Sequence, residues 1–370
     1  MIQANDFRRQ WEQIGEDVAR AAARVGESGW YILGREVEEF EKLLARVWGL
    51  PYATGVASGL DAIEISLRVL GLKRGDKVAT TPISAFATTL AIVKAGGIPV
   101  FVDCDDSGLV RLDLVEQLAA RDTGVRFLVP VHLYGFSLNL DHLAHLGRRF
   151  ELQIVEDCAQ SILAAWGERP TGSVGQMAAT SFYPTKNLGA MGDGGAILTS
   201  TPERAEEAAF YRDYGQRGKY RHTRLGYNSR LDELQAAILK DGMLPRLAGW
   251  TARRGEIARA YTEGIRHPGI RVPRLPPEGR ACYHLFPVFV NPERKEDFLE
   301  HLRGRGIGTG EHYPLCIFEQ DALGGVDFEG GNACENARIL CRSEVSLPIH
   351  PFLTDGEVLA VIDACAGWEE

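Results

Sequence analysis

Residues 181–196 read Ser181-Phe182-Tyr183-Pro184-Thr185-Lys186-Asn187-Leu188-Gly189-Ala190-Met191-Gly192-Asp193-Gly194-Gly195-Ala196. The stretch leaves one apolar run at 177–182, passes a proline and a lysine, and enters another at 194–200. Such runs read as buried strands, which places Lys186 at a strand's carboxyl end. An ammonium between an apolar strand and a glycine-rich turn is partly desolvated. That lowers its pKa and suits it to imine chemistry as a nucleophile. An ordinary loop lysine would fit the same position. The glycines at 192, 194 and 195 permit positive φ, but they form no dinucleotide fingerprint, because no GxGxxG follows a strand and opens a helix.

Working outward, further strands are expected at 77–81, 98–103, 126–132 and 152–157, with helical spacing at 86–95 and 141–150. This alternation predicts an α/β fold with a mostly parallel sheet. Two of the runs end in polar residues, His132 and Asp157, where open α/β sheets gather ligands. Asp157 would equally cap the following turn. Ser58-Gly59-Leu60 opens a helical pattern, so its amides offer an anion site, and Ser58 alone would also serve as a plain N-cap. Phe86 follows Pro82 within PISAFATT, where an aromatic face covers either a planar ring or the core. After Asn228 a long helical pattern runs through Pro245, which predicts a kink. Prolines at 268, 273, 276 and 277 mark a connector, and 283–290 is a strand. The expected division is a large domain at 1–250, beginning with a helical segment, and a small α+β domain at 251–370.

The chain has 370 residues, a formal net charge of −9, 45% hydrophobic and 25% charged residues. This is an ordinary globular composition, which excludes dominant disorder or a small disulfide scaffold. The acidic balance disfavours nucleic acid as a partner. No apolar run reaches membrane-spanning length, and the polar start MIQANDFRRQ lacks an apolar signal core. Seven cysteines without a CxxC pair argue for reduced, buried thiols in a cytoplasmic protein, with no metal site.

Taken together, YILGREVEEFE at 31–41, VASGLDAI at 56–63, PVHLYG at 130–135, VEDCAQS at 155–161, SFYPTKNLGAMGDGGA at 181–196, NSRLDELQAA at 228–237 and EHYPL at 311–315 resemble the DegT/DnrJ/EryC1/StrS aminotransferases, which are sugar aminotransferases of fold type I that use pyridoxal 5′-phosphate (PLP). The resemblance implies that Lys186 binds PLP covalently and later moves the proton, while Asp157 pairs with the pyridinium nitrogen. It places Gln160 beside the ring hydroxyl, Phe86 on the ring face, and Ser58, Gly59, Leu60 and Ser181 at the phosphate. Asn228 is implied to reach the phosphate of a neighbouring subunit, so that a homodimer shares its sites. Tyr183, His312 and Tyr313 fall near the substrate. Three positions depart from the common pattern: Leu60 in place of threonine, Ile162 in place of histidine, and Cys316-Ile317-Phe318 where a second histidine often follows.

The implied reaction moves an amino group from an amino acid, L-glutamate, to a keto-sugar nucleotide. The GLDA form leans towards C3 of a dTDP-3-keto-6-deoxyhexose; C4 transfer to a UDP-, GDP- or dTDP-4-keto sugar is the alternative. From 212 to 230 six Lys or Arg face one acid, Asp213, so Lys219, Tyr220 and Arg221 are candidate contacts to a diphosphate or base. A solvated loop would carry the same charge run. A sugar dehydratase on this fold typically has histidine in place of the lysine. A catalytically silent regulatory homologue would have no need of Lys186, Asp157, Gln160 and Ser181 together.

Overall fold

The computed structural model describes residues 1–121, 123–218 and 220–369. Its main sheet is built from β1 (Tyr52–Val56), β2 (Lys77–Thr80), β3 (Ile98–Phe101), β4 (Val125–Val129), β5 (Gln153–Asp157), β6 (Met177–Ser181) and β7 (Gly195–Thr199), in the spatial order β1-β7-β6-β5-β4-β2-β3. Neighbours from β6 to β3 run parallel, whereas β7 is antiparallel to both β1 and β6. The inner strands are apolar on both faces, as buried parallel strands must be, and each ends within a few residues of its expected limit. The edge strand β1 had no counterpart among the expected strands. Its sequence, YATGV, is half polar and exposed where it begins.

Helices cover both faces. On one face α1 (Phe7–Ser28) and α2 (Arg35–Trp48) bury Ile14, Val18, Phe40, Leu44 and Trp48 against Ala178, Ala196 and Leu198. Asp6 caps α1 by accepting the Arg8 and Arg9 amides, and Gly29 ends it at φ 62°, a left-handed turn that glycine adopts without strain. On the other face α3 (Gly59–Val69) and α4 (Phe86–Ala95) pack Ile63, Leu67 and Ile92 on Val129, Val155 and Ile197. Further crossovers are α5 (Leu112–Ala120), α6 (Leu140–Arg149) and α7 (Pro202–Arg212). After α8 (Glu233–Ile238) the chain widens into a π turn at Leu239–Met243 and tightens into a 3₁₀ turn at Leu244–Arg246 before α9 (Leu247–Gly264). This is the irregularity expected at Pro245.

The C-terminal part holds a two-stranded sheet of β8 (Phe286–Phe289) and β9 (Glu344–Leu347), flanked by α10 (Lys295–Gly304), α11 (Glu335–Ser343) and α12 (Asp355–Ala366). It has its own core around Phe298, Val345 and Val361, which Ile257 and Tyr261 of α9 also enter. Cys316, Leu340 and Cys341 instead join the core of the main sheet. All seven cysteines are free and buried, as expected. Among the described residues, no helix is long and apolar enough to cross a membrane.

Candidate active site

Gly195 is where the separate sequence signals meet. In the main sheet it pairs with Val56 on one side and Ser181 on the other, so the start of α3 and the end of β6 become neighbours. A Cβ at Gly195 would lie 2.4 Å from the Ser58 carbonyl carbon and oxygen, and one at Gly59 would lie 2.7 Å from Ser181 Cβ. The glycine-rich turn therefore does not serve positive φ: Gly192, Gly194 and Gly195 are absent from the positive-φ glycines. Its glycines let two backbones touch. Ser58 Oγ accepts the Asp61 amide at 3.1 Å and so caps α3. The amides of Gly59 and Leu60, in the first turn, have no intrahelical partner and remain for an anion.

Gly195→Ala should break this junction, because the clash is with backbone that cannot rotate aside. The expected result is at least tenfold weaker PLP binding in an absorbance titration and about 1–3 kcal/mol lost in denaturant unfolding. Gly192→Ala is the control, since its Cβ would meet only the side-chain amide of Gln235, at 3.1 Å. Unchanged affinity and stability in Gly195→Ala would refute the close-approach reading.

Lys186 sits in the turn after β6. Its surroundings desolvate the ammonium and lower its pKa to about 8, while the charge of Asp157 partly opposes that shift. Asp157, buried at the end of β5, accepts the Thr88 hydroxyl at 2.8 Å and the Ala159 amide at 3.0 Å. Burial raises its pKa, and the two hydrogen bonds and Lys186 pull it back down. Asp157 thus caps the following turn with one oxygen, as the plainer of its two expectations has it, and its buried carboxylate feels the charge of Lys186. Phe86 begins α4, the helix that carries Thr88, and is half-buried against the core containing Leu133 and Tyr134.

Gln160 is held from both sides. Its Oε1 accepts the Tyr134 amide at 2.6 Å, and its Nε2 donates to Tyr313 Oη at 3.3 Å. Tyr134 Oη in turn donates to the His312 carbonyl at 2.7 Å. The structure thus brings Gln160, His312 and Tyr313 together, although they are far apart in sequence. Tyr183 is exposed beside Ser181, whose Oγ accepts the Tyr183 amide at 3.2 Å. Asn187, next to the lysine, donates to the Cys282 carbonyl at 3.0 Å and so anchors the turn to the C-terminal part.

The remaining candidates divide. Asn228 is exposed, while Ser229 beside it is buried, donates to Asp61 Oδ2 at 2.6 Å and accepts the Ala57 amide at 3.1 Å. Lys219 lies outside the described residues. Tyr220 and Arg221 are exposed on the same loop. The positive segment is less available than its local sequence suggests. Arg212 pairs with Glu41, Arg217 and Arg224 with Glu207, and Arg230 with Asp213. His132 does follow β4 beside Asp157, whose carbonyl accepts its amide at 3.1 Å, but its ring is engaged elsewhere. It is fully buried, with Nε2 2.9 Å from Glu156 Oε2, and it accepts the Leu138 amide on Nδ1. Glu156 further accepts the amides of Gly172, Val174 and Gly175. This pair ties the segment after β4 to β5 and to the turn at 172–175. Thr88, Tyr134 and Ser229 were missed from sequence, because a lone hydroxyl or amide partner carries no local pattern.

A buried carboxylate, a desolvated amine, and a helix start with a serine hydroxyl beside it, brought together by glycines without side-chain room, match the donor set that PLP needs. Lys186 would hold its aldehyde carbon, Asp157 its ring nitrogen, and Ser58, Gly59, Leu60 and Ser181 its phosphate. Residues 12–366 match the DegT/DnrJ/EryC1/StrS aminotransferase family. The dTDP-3-amino-3,4,6-trideoxy-alpha-D-glucose transaminase of Streptomyces venezuelae is 40% identical over 99% of this chain and 95% of its own length. The dTDP-3-amino-3,6-dideoxy-alpha-D-galactopyranose transaminase of Aneurinibacillus thermoaerophilus is 38% identical over 98% of both chains. The crystal structure of S. venezuelae DesV in complex with a ketimine intermediate superposes with a TM-score of 0.93 at 40% identity, covering 98% of this chain and 97% of that one. The chain belongs to the DegT/DnrJ/EryC1/StrS aminotransferase family and is a PLP-dependent aminotransferase.

Proposed function

We propose that the protein transfers an amino group from L-glutamate to C3 of a dTDP-3-keto-6-deoxyhexose in amino-sugar biosynthesis, as a cytoplasmic homodimer with shared sites. The observation that carries the reading is the α3 start brought against the end of β6 at Gly195, with a desolvated Lys186 just after β6 under the charge of buried Asp157 at the end of the neighbouring β5. The two dTDP-3-amino-sugar transaminases support the choice of substrate. Residues 1–250 form the cofactor-binding domain and 251–370 the small domain in this reading.

PLP, when bound, supplies an electron sink and a carbon that takes up and releases the amino group. This chain's own residues do the rest. With a pKa near 8, about one Lys186 amine in ten is neutral at pH 7, against fewer than one in a thousand for an ordinary lysine. That neutral Nζ is the base that would lift a proton from the amino-acid carbon and deliver it, in the same half-reaction, to the carbon that PLP supplies, and move a proton the opposite way in the other half-reaction. Asp157, fixed by Thr88 and Ala159, keeps its charge aimed at one point, which favours a cationic partner there. Gln160 is immobilised between Tyr134 and Tyr313 and so holds a fixed polar edge. The α3 amides and Ser181 fix an anion at the opposite end, so the same alignment recurs in both half-reactions.

The test is direct. Borohydride reduction of the yellow PLP-loaded protein should place the pyridoxyl label on the peptide containing Lys186; a label elsewhere refutes that assignment. Among dTDP-, UDP- and GDP-linked 3-keto and 4-keto sugars, the dTDP-3-keto sugar should react at least tenfold faster in kcat/KM. Faster turnover of a 4-keto sugar would overturn the C3 reading. A single-subunit mass in solution would overturn the shared site.

A further inference from the structure

Behind His312 lies a hydrogen-bonded chain that the reaction as described leaves unused. Glu344 and Ser346 stand two apart on β9, so both side chains leave the same face of the strand. Ser346 is tied by two backbone hydrogen bonds to Gly310, which carries the following turn, and His312 with it, over these side chains. Ser346 Oγ donates to Glu344 Oε1 at 2.5 Å and lies 2.9 Å from His312 Nδ1. The His312 amide donates to the other oxygen, Glu344 Oε2, at 2.6 Å. Glu344 and Ser346 are only 1% and 3% exposed, so solvent does not compete.

A serine hydroxyl has a single hydrogen. While that hydrogen is given to an ionised Glu344, His312 Nδ1 must be the donor to Ser346, and Nε2 is left with a lone pair. Among the described residues Nε2 makes no protein hydrogen bond. His312 is joined to the site through Tyr134 Oη, and the charge of Lys186 bears on its ring. Resting on the keto-sugar reading above, we propose that Glu344, acting through Ser346, determines which ring nitrogen of His312 carries the proton, and so whether Nε2 meets a substrate hydroxyl as acceptor or as donor. The conversion balances: one proton arrives at Nε2, the Nδ1 proton passes to Ser346 Oγ, and the Ser346 proton passes to Glu344 Oε1. His312 is then a relay end, and Glu344 and Ser346 are positioning residues.

The electrostatics agree with the geometry. Burial pushes the Glu344 carboxyl up to about 7, against the hydrogen bonds from Ser346 and the His312 amide. The charged and titratable groups facing it are His312, Lys295 with its partner Glu311 at 2.5 Å, Tyr134 and Tyr313. Burial and Lys186 lower the His312 pKa to about 4, so near neutrality the ring changes tautomer rather than charge.

The experiment is two-bond ¹⁵N NMR of histidine-labelled, PLP-loaded protein, with His312→Asn to assign the signal. In the wild type the ratio of Nδ1–H to Nε2–H form should rise about tenfold per pH unit across pH 6–8. Glu344→Gln should lock the Nε2–H form, because its oxygen is taken by the His312 amide and its NH₂ can only donate to Ser346. Ser346→Ala should make the ratio independent of pH, and Ser346→Thr should restore the dependence. An unchanging tautomer in the wild type, or an unaltered transition in Glu344→Gln or Ser346→Ala, overturns the relay. The profile of kcat/KM for the keto sugar should show the same ionisation and lose it in both variants. A tautomer shift in protein inert towards every keto sugar would support the relay while overturning the substrate reading.

Discussion

Lys186→Ala should reduce transamination by at least about 10⁴-fold, because in the function proposed above it removes both the amine that takes PLP covalently and the base that moves the proton. PLP should still bind, held by the α3 amides, Ser181 and Asp157, but with the spectrum of a free aldehyde and without a borohydride-stable label. The apoprotein offers a second reading of the same residue. A lysine pKa lowered from 10.5 to about 8 in the folded state means that the unfolded chain binds more protons between those values. Stability should therefore rise with pH across about 8–10.5, and the protonated lysine below that window costs about 2–3 kcal/mol after allowance for its partial exposure. Buried thiols and tyrosines titrate over the same range, so the informative quantity is the difference between wild-type and Lys186→Ala denaturation curves. Parallel curves from pH 7 to 10.5 would refute a desolvated lysine, and activity within a hundredfold of wild type would refute its catalytic role.

Lys186, Asp157 and Gln160 stood out in the sequence as candidates because each belongs to a dense local pattern at a strand end. The sheet's inner strands were legible too, since continuous apolar runs have no other stable placement. What the sequence hid was set by distant partners. The charge run at 212–230 looked open to an anion because its countercharges lie outside it, Glu207 on the preceding α7 and Glu41 far away on α2. His132 looked like a site residue, yet Glu156 claims its ring from the neighbouring strand. Gly195 was noticed for backbone freedom, whereas the true constraint is the Ser58 carbonyl, more than a hundred residues away in sequence. Edge strand β1 escaped because YATGV, broken by Thr54 and Gly55 and exposed where it begins, lacks the apolar run that marks the others. In each case residue type was readable, and the partner that decides its role was supplied only by folding.

Asp157→Asn should separate charge from architecture at the second proposed catalytic position. Asparagine is isosteric with aspartate, and its Oδ1 can still accept the Ala159 amide. On the other side the side-chain amide would now donate to Thr88 Oγ1, which can turn its own hydrogen to Ser84 Oγ, 2.8 Å away. The hydrogen-bonded frame is therefore retained and the unfolding midpoint should stay close to wild type. Loss of a buried carboxylate, whose burial already raises its pKa, should relieve desolvation rather than add strain. What disappears is the negative charge that favours a protonated ring nitrogen, and with it much of the capacity to stabilise negative charge developing on the amino-acid carbon. The expected loss is about 10²–10⁴-fold in the rate of the single-turnover half-reaction with L-glutamate, with PLP affinity changed far less because the phosphate contacts are untouched. Asp157→Glu keeps the charge but moves it by one methylene, and should recover only part of the rate, since the Thr88 and Ala159 donors are fixed on α4 and the turn after β5. A half-reaction rate in Asp157→Asn within tenfold of wild type would show that the charge at this position does not carry the chemistry, and the site would need another partner for the ring nitrogen.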